Sequence, residues 1–322
     1  MGSAVALRLA RQGFHVAVYD PSPVCENASG VAAGMLAPIS EALFDPASRH
    51  HLEIMRRARD LWPAFAAAAG IALVRNGVRI EGSQAWREEV AVRLSSMGLS
   101  ADVLADEDWR LDARQALQAL REAACREGAV FHASAVEWFD AGAVTLSDGR
   151  CEMSDALVLA MGPAARHAAF APETKILAPI KGQILRLPRN DDGRTPVVRG
   201  QGVYFAPGAQ LAIGATMEYG RADLEADRAA IRTLQDAAAA LRPDLDLDRA
   251  IIEVGVRVTS PDGLPLVGWS RCRGVMLATG ARRNGWLFAP LVAEMVAAYL
   301  TGDNVGQDAK AMDASRFEKP EV

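Results

Sequence analysis

The sequence predicts an α/β protein in which a nucleotide-binding domain built on parallel strands is interleaved with an α+β domain built on an antiparallel sheet. Three observations carry this. The chain opens "MGSAVALRLARQGFHVAVYD", where Val5, Leu9 and the alanines around them fall at helical spacing, Gly13 stops the helix, and "HVAVYD" is a short buried strand ending in an acid. Strands and helices alternate at both ends of the chain. The middle is instead rich in hairpin signals. A helix feeding such a strand is the second half of a Rossmann-like βαβ unit, and Asp20 stands close to the place of its ribose-binding acid, about 20 residues after the glycine turn.

After Asp20, "PSPVCENASGVAAGMLAPISE" is a turn-rich passage of Gly, Ala and Ser. Small residues in a row let a backbone lie against a flat ligand, and a flexible loop is the competing reading. From Pro46 to Ala69 the apolar spacing of Leu52, Met55, Leu61 and Phe65 predicts a helix. "IALVRNGVRIEG" predicts two short strands joined as a hairpin at Asn76 and Gly77. Helices follow over Gln84 to Met97 and Asp112 to Glu127, the second stopped by Gly128. A run of strands then turns at Ala141 and Gly142 and again at Asp148 and Gly149, closing on the apolar "ALVLAMG". The chain is strand-rich from Lys175 to Glu218 and helical from Asp223 to Leu241. "AIIEVGVRV" and "GVMLATG" are strands, and a last long helix spans Leu287 to Leu300. Beyond Gly302 a polar tail is expected to fray.

At 322 residues, 50% hydrophobic and 23% charged, the composition is that of a globular enzyme of two domains. A net charge of -5 excludes the basic face a nucleic-acid partner needs. Cys25, Cys125, Cys151 and Cys272 are far apart and no signal peptide precedes them, so buried thiols in the reducing cytoplasm are expected rather than disulfides. "WLFAPLVAEMVAAYL" is shorter than the ~20 apolar residues of a membrane span and contains Glu294, so it reads as a packed helix. His15, His50, His51, His132 and His167 show no metal-ligand spacing, and no metal is expected.

Four stretches in fixed order carry a resemblance: "GSAVALRLARQGFHVAVYD", "ASGVAAGMLAP", "GVRVTSPDGLPLVG" and "ATGARRNGWLFAP". Together they resemble the amine-oxidising flavoenzymes of the D-amino-acid oxidase superfamily, most closely the glycine oxidase branch of bacterial thiamine biosynthesis, over nearly the whole chain. The resemblance implies a Rossmann-like FAD-binding domain over 1–45, 112–168 and 253–305, a substrate domain over 46–111 and 169–252, and a tail over 306–322. FAD is expected to be held non-covalently, since "GVRVTSPDG" has no cysteine.

By that resemblance, Asp20 binds the adenosine ribose hydroxyls through one carboxylate, the alternative being a strand-end acid in solvent. Ser29 donates to phosphate, and Ala33, Gly34 and Met35 face the flavin ring. The Val136 backbone contacts adenine. Ala160 and Gly162 end the strand beneath the cofactor, or serve tight packing alone. "GARRNGWL" matches the family's flavin-facing segment at Gly280, Arg283, Asn284 and Gly285, where helix-start amides stabilise negative charge on reduced flavin. Ala281 and Arg282 depart from the family's His and aromatic at those places, which border the substrate cavity.

Arg257 falls where the family binds the substrate carboxylate, a guanidinium forking onto it through two parallel hydrogen bonds. A structural salt bridge is the other reading. Tyr204 and Met217 match wall positions, Tyr204 near the carboxylate, and Met217 is also ordinary core by residue type. Arg283 joins them in contacting substrate. The implied reaction is hydride transfer from the α-carbon to flavin with no obligatory protein base, and with reoxidation by O2 to give H2O2. Lys181 is a candidate oxygen-activating cation and otherwise an ordinary strand-end lysine.

The resemblance makes Gly2 the third glycine of G-x-G-x-x-G. About a dozen residues, the first strand and two glycines, are then expected upstream of Met1. The implied partners are a small amino acid and O2, with imine passed to thiazole synthase, and the relatives imply a homo-oligomer. Two rivals stand beside this: a D-amino-acid dehydrogenase passing electrons to a quinone, and a truncated, non-catalytic remnant.

Overall fold

The computed structural model describes residues 1–140, 142–163, 171–188 and 195–317. The expectations at Ala141, His167 and the last residues of the tail lie outside the described residues. At the start, helix Gly2–Ala10 buries Val5, Leu7 and Leu9 against helices Ala113–Arg126 and Gly285–Thr301. Strand Ala17–Tyr19 pairs in parallel with Val130–His132. Strand Leu157–Leu159 pairs in parallel with Val275–Thr279, whose other edge carries Leu266–Trp269 antiparallel. These are the parallel strands the alternating ends of the sequence predict, placed in two separate sheets.

The second layer is a seven-stranded sheet. Its spine is Ala178–Leu187, paired along one edge with Ile251–Thr259. The other edge is shared by Leu211–Gly214 and Glu218–Tyr219, and the sheet continues through Val203–Ala206 and Val197–Gly200 to Val78–Ile80. Only the last pairing is parallel. Alternation along these strands sends two sets of side chains to opposite faces. Leu185, Val198, Phe205 and Ile213 face helix Arg228–Leu241. Ile184, Val197, Tyr204 and Ala206 face helices Pro38–Phe44 and Gln84–Ser96.

Several expectations are corrected. Asn76 and Gly77 do not turn a hairpin: Val74 bridges Arg110 while Val78–Ile80 joins the large sheet in parallel. Gly77 does take the positive φ of a turn, but a Cβ there would lie 2.3 Å from the Ala105 backbone, so close packing alone requires the glycine. The single helix from Pro46 is a 3-10 turn followed by Leu52–Asp60 and Trp62–Ala69, and the later helix starts at Arg228 rather than Asp223. Met55, Trp62 and Ala66, assigned to the substrate domain, share the core of helices 2–10 and 285–301. Trp62 is fully buried and donates to the Leu287 carbonyl at 3.2 Å; losing such an aromatic costs about 3–5 kcal/mol. The boundary at 253 falls inside strand Ile251–Thr259.

The thiols are not buried. Cys125 and Cys151 are exposed and Cys25 and Cys272 half-buried, all four as free cysteines, because one lies on the outer face of an amphipathic helix and another on the exposed strand Cys151–Met153. The tail as far as residue 317 is docked rather than frayed. Arg316 donates to Asp262 and to the carbonyls of Leu264, Pro265 and Asp313, and Met312 is fully buried. No helix among the described residues is long and apolar enough to cross a membrane.

Candidate active site

The residues expected at the nucleotide converge at the ends of the parallel strands. A Cβ on Gly2 would lie 3.3 Å from that of Ala160, so the first helix starts over the end of Leu157–Leu159. Asp20 follows the neighbouring strand. Its amide donates to the His132 carbonyl, and its Oδ1 accepts from the Ser22 amide at 3.0 Å. Val136 packs with Tyr19 and Met161 in one apolar cluster. Gly162 has positive φ and open space around its missing side chain.

The small-residue passage is an ordered element. Asn27 caps helix Ala28–Val31 through the amides of Ser29 and Gly30, and the Ser29 carbonyl accepts from Trp286 Nε1 at 3.0 Å. That bond joins the loop to the start of the last long helix, at Asn284 and Gly285. At the helix end, Arg186 donates to the carbonyls of Val31 and Ala32 at 2.9 and 3.0 Å, where a cation suits the exposed carbonyls. Glu253 holds Arg186 at 3.1 Å and also pairs with Arg114.

Gly34 is explained differently from the expectation. A Cβ there would lie 2.1 Å from the Leu111 carbonyl oxygen, so its bare side faces protein and close packing already requires the glycine. Gly280 likewise has positive φ and faces Leu177. Ala33 and Met35 are partly buried against the apolar cluster that contains Tyr204 and Ile184. Gly285 opens helix Gly285–Thr301 with nothing near its missing side chain, and Asn284 makes no side-chain cap. Its first-turn amides are therefore available to an anion.

On the large sheet, Arg257 lies across the bare Cα of Gly182: a Cβ on that glycine would be 1.7 Å from the guanidinium. Gly182 stands opposite Gly255, and Arg257 opposite Ile180, on the same face. Among the described residues Arg257 has no carboxylate partner. Burial, with the nearby charge of Arg283, pushes its guanidinium below the ordinary value. Tyr204 is buried on the same face, and its ring covers Gly214. Burial raises its hydroxyl despite Arg257, Arg283 and Arg199, so it stays a neutral donor.

Arg283 differs from Arg257. Its Nη2 and Nε lie 2.8 and 2.7 Å from the two oxygens of buried Glu41, and its Nη1 lies 3.4 Å from the Met217 sulfur. Burial opposes its charge, but Glu41 outweighs this and holds the guanidinium above its ordinary value. The fork expected to reach substrate is thus taken by a protein carboxylate. Arg282, at positive φ, pairs with Asp45 and donates to the Tyr219 hydroxyl. Its departure from the family pattern closes the wall with an ion pair.

Helix Pro38–Phe44, which presents Glu41, is fixed by Asp108. That carboxylate accepts from the amides of Ile39 and Ser40 at 2.9 Å and from Ser40 Oγ at 2.6 Å. Burial nevertheless pushes it up to about 7. Glu41, Asp45, Asp108, Gly182, Arg186 and Arg199 carry no motif, so sequence reasoning missed them; a glycine between polar residues in "IKGQI" was the one visible signal.

Lys181 is neither a strand-end residue nor part of this site. It is fully buried within Ala178–Leu187, one position from Gly182, and so faces the opposite side of the sheet. There its Nζ binds Asp223 Oδ1 at 2.6 Å and lies 3.8 Å from Glu218. Two surface cavities, of about 470 and 200 Å³, lie elsewhere, along Gln118, Arg121 and Cys125 and beside Arg8 and Glu294.

Residues 1–299 match the family model described as DAO, FAD dependent oxidoreductase. The chain belongs to this family. Its cofactor is FAD, and the helix start at Gly285 and the open strand end at Gly162 fit a dinucleotide's negative groups. Glycine oxidase of Geobacillus kaustophilus is 28% identical to this family member over 98% of this chain and 93% of its own length. The bifunctional protein ThiO/ThiG of Synechocystis is 29% identical over 98% of this chain and 52% of its own length, so the chain spans about half of that relative. Among solved structures, glycine oxidase from Geobacillus kaustophilus superposes with a TM-score of 0.79 at 24% identity, covering 99% of this chain and 96% of that one. L-proline dehydrogenase from P. horikoshii gives 0.78 at 18%, covering 98% and 95%. The α/β architecture is thus that of the family.

Proposed function

We propose that this protein oxidises glycine or another small amino acid, using O2 as the final acceptor and releasing H2O2. The observation that carries this is Arg257, a guanidinium that meets no carboxylate among the described residues and is laid over Gly182 beside Tyr204. Such a fork binds a carboxylate through two parallel bonds, which fixes the α-carbon as well as attracting the acid. Tyr204, held neutral, donates a further hydrogen bond to that carboxylate. Arg283, clamped by Glu41, and Met217 form the adjoining wall. Bound FAD supplies the two-electron acceptor for the α-hydride. The amine gives up a proton as the carbon–nitrogen double bond forms, and the imine is hydrolysed or handed on.

In this reading Gly2, Asp20, Ser29, Val136, Ala160 and Gly162 hold the adenosine and diphosphate of a non-covalently bound FAD, and Ala33, Met35, Asn284 and Gly285 border its ring. Gly34 and Gly280 shape the backbone beside it. The ThiO/ThiG relatives support a transfer of imine to thiazole synthase and a place in thiamine biosynthesis.

The test is anaerobic mixing of the FAD-loaded protein with glycine and a panel of D- and L-amino acids. Bleaching of the bound flavin, and peroxide formed in air without added acceptor, support the reading. Bleaching without peroxide, relieved by a quinone, would transfer it to a dehydrogenase. No bleaching with any amino acid overturns it.

A further inference from the structure

The same face carries a second guanidinium that the reaction above does not use. Arg199 stands directly opposite Tyr204 in the strand pair, and Tyr204 opposite Gly214, so Arg199, Tyr204 and Arg257 project from one side of the sheet. The Arg199 guanidinium carbon lies over two aromatic rings, 4.6 Å from the Phe44 centroid and 5.7 Å from that of Tyr204. A cation–π contact uses the face of a guanidinium and not its in-plane N–H donors, which can then serve a ligand. Among the described residues no carboxylate pairs with it. Burial, with the like charge of Arg283, pushes it down to about 10, and it remains charged at neutral pH.

The charges of the site do not balance around a substrate with a single carboxylate. Glu41 is committed to Arg283 and Asp45 to Arg282. An α-carboxylate on Arg257 leaves Arg199 with no carboxylate paired to it among the described residues, Glu41 and Asp108 acting on it only at longer range, and a second carboxylate on the ligand would supply that pair. In register, Arg199 is opposite Tyr204, Tyr204 opposite Gly214 and Gly214 opposite Ile184, two positions from the Gly182 that Arg257 covers, so the two guanidiniums flank Tyr204 on one face of the sheet.

We propose that Arg199 anchors a second carboxylate of the substrate, making the preferred substrates dicarboxylic amino or imino acids rather than glycine. The negative group sits on the side chain or on the nitrogen substituent, at the far end from the α-carboxylate. This rests on the reading that Arg257 binds the α-carboxylate.

Non-reactive acids test it on the FAD-loaded protein by calorimetry: acetate against malonate, succinate and glutarate. At least one dicarboxylate is expected to bind about tenfold or more tightly than acetate, the scale of one added charged contact. Arg199→Gln should abolish that advantage while keeping acetate within about threefold, which also shows that the variant is folded; Arg199→Lys should keep part of it. Arg257→Gln should weaken both classes. Dicarboxylates binding no better than acetate, or Arg199→Gln weakening acetate equally, would overturn the assignment. Loss of the underlying reading looks different: no acid binds, and Arg257→Gln changes nothing.

Discussion

Replacing Arg257 by methionine separates a substrate anchor from a structural ion pair, because the two make opposite forecasts for stability. A guanidinium that forks onto a carboxylate contributes two charge-assisted hydrogen bonds of roughly 1.5–3 kcal/mol each. Their loss removes about 3–6 kcal/mol from the bound state, so kcat/KM should fall by about 10² to 10⁴ for every carboxylate substrate. In the ligand-free protein Arg257 has no carboxylate partner among the described residues, and burial already works against its charge. Methionine fills a similar volume over Gly182 without a charge to desolvate, so the melting temperature should hold or rise. Anaerobic flavin-bleaching titrations give the first quantity and thermal unfolding of the same preparations the second. A variant that loses stability yet keeps kcat/KM within about threefold would show that Arg257 holds the fold and that the carboxylate binds elsewhere.

Gly182→Ala should act on the same step from below: its methyl would intrude on the guanidinium, so KM should rise while the fold persists, and an unchanged KM would mean that Arg257 does not bind from this position. Asp108 gives a pH signature. Its carboxyl keeps a proton to about 7 in the folded chain against 3.8 ordinarily, so the unfolded chain binds fewer protons across that window. Stability should therefore fall as pH rises from about 4 to 7, by up to about 4 kcal/mol, and level off above. Asp108→Asn should flatten this slope, and denaturant titrations giving an unaltered profile would refute the assignment. Lys181→Met should leave flavin reoxidation by O2 unchanged, because the ammonium faces away from Arg257; a slowed stopped-flow reoxidation with normal reduction would contradict that placement.

The linear sequence determined those features that local spacing or a contiguous motif encodes. The first helix and its following strand, the meander with turns at Gly142 and Gly149, the strand holding Arg257 and the packed last helix are all periodicity or turn chemistry, which a few neighbouring residues decide. Arg257, Tyr204 and Gly285 could be picked out because each lies in a short pattern, and the fold puts the first two on one face of the large sheet and the third at a helix start. What only the tertiary structure decided depends on partners far away in the chain. Gly77 was read as a hairpin glycine, yet its flanks leave for different sheets. Lys181 differs from Gly182 by one position, and pleat alternation alone sends its charge to the other side. Arg283 and Arg257 look equivalent as arginines; Glu41, some 240 residues from Arg283, pairs with that one, and among the described residues no carboxylate meets the other. A guanidinium's role follows from whether a carboxylate meets it, and that meeting is made by the fold.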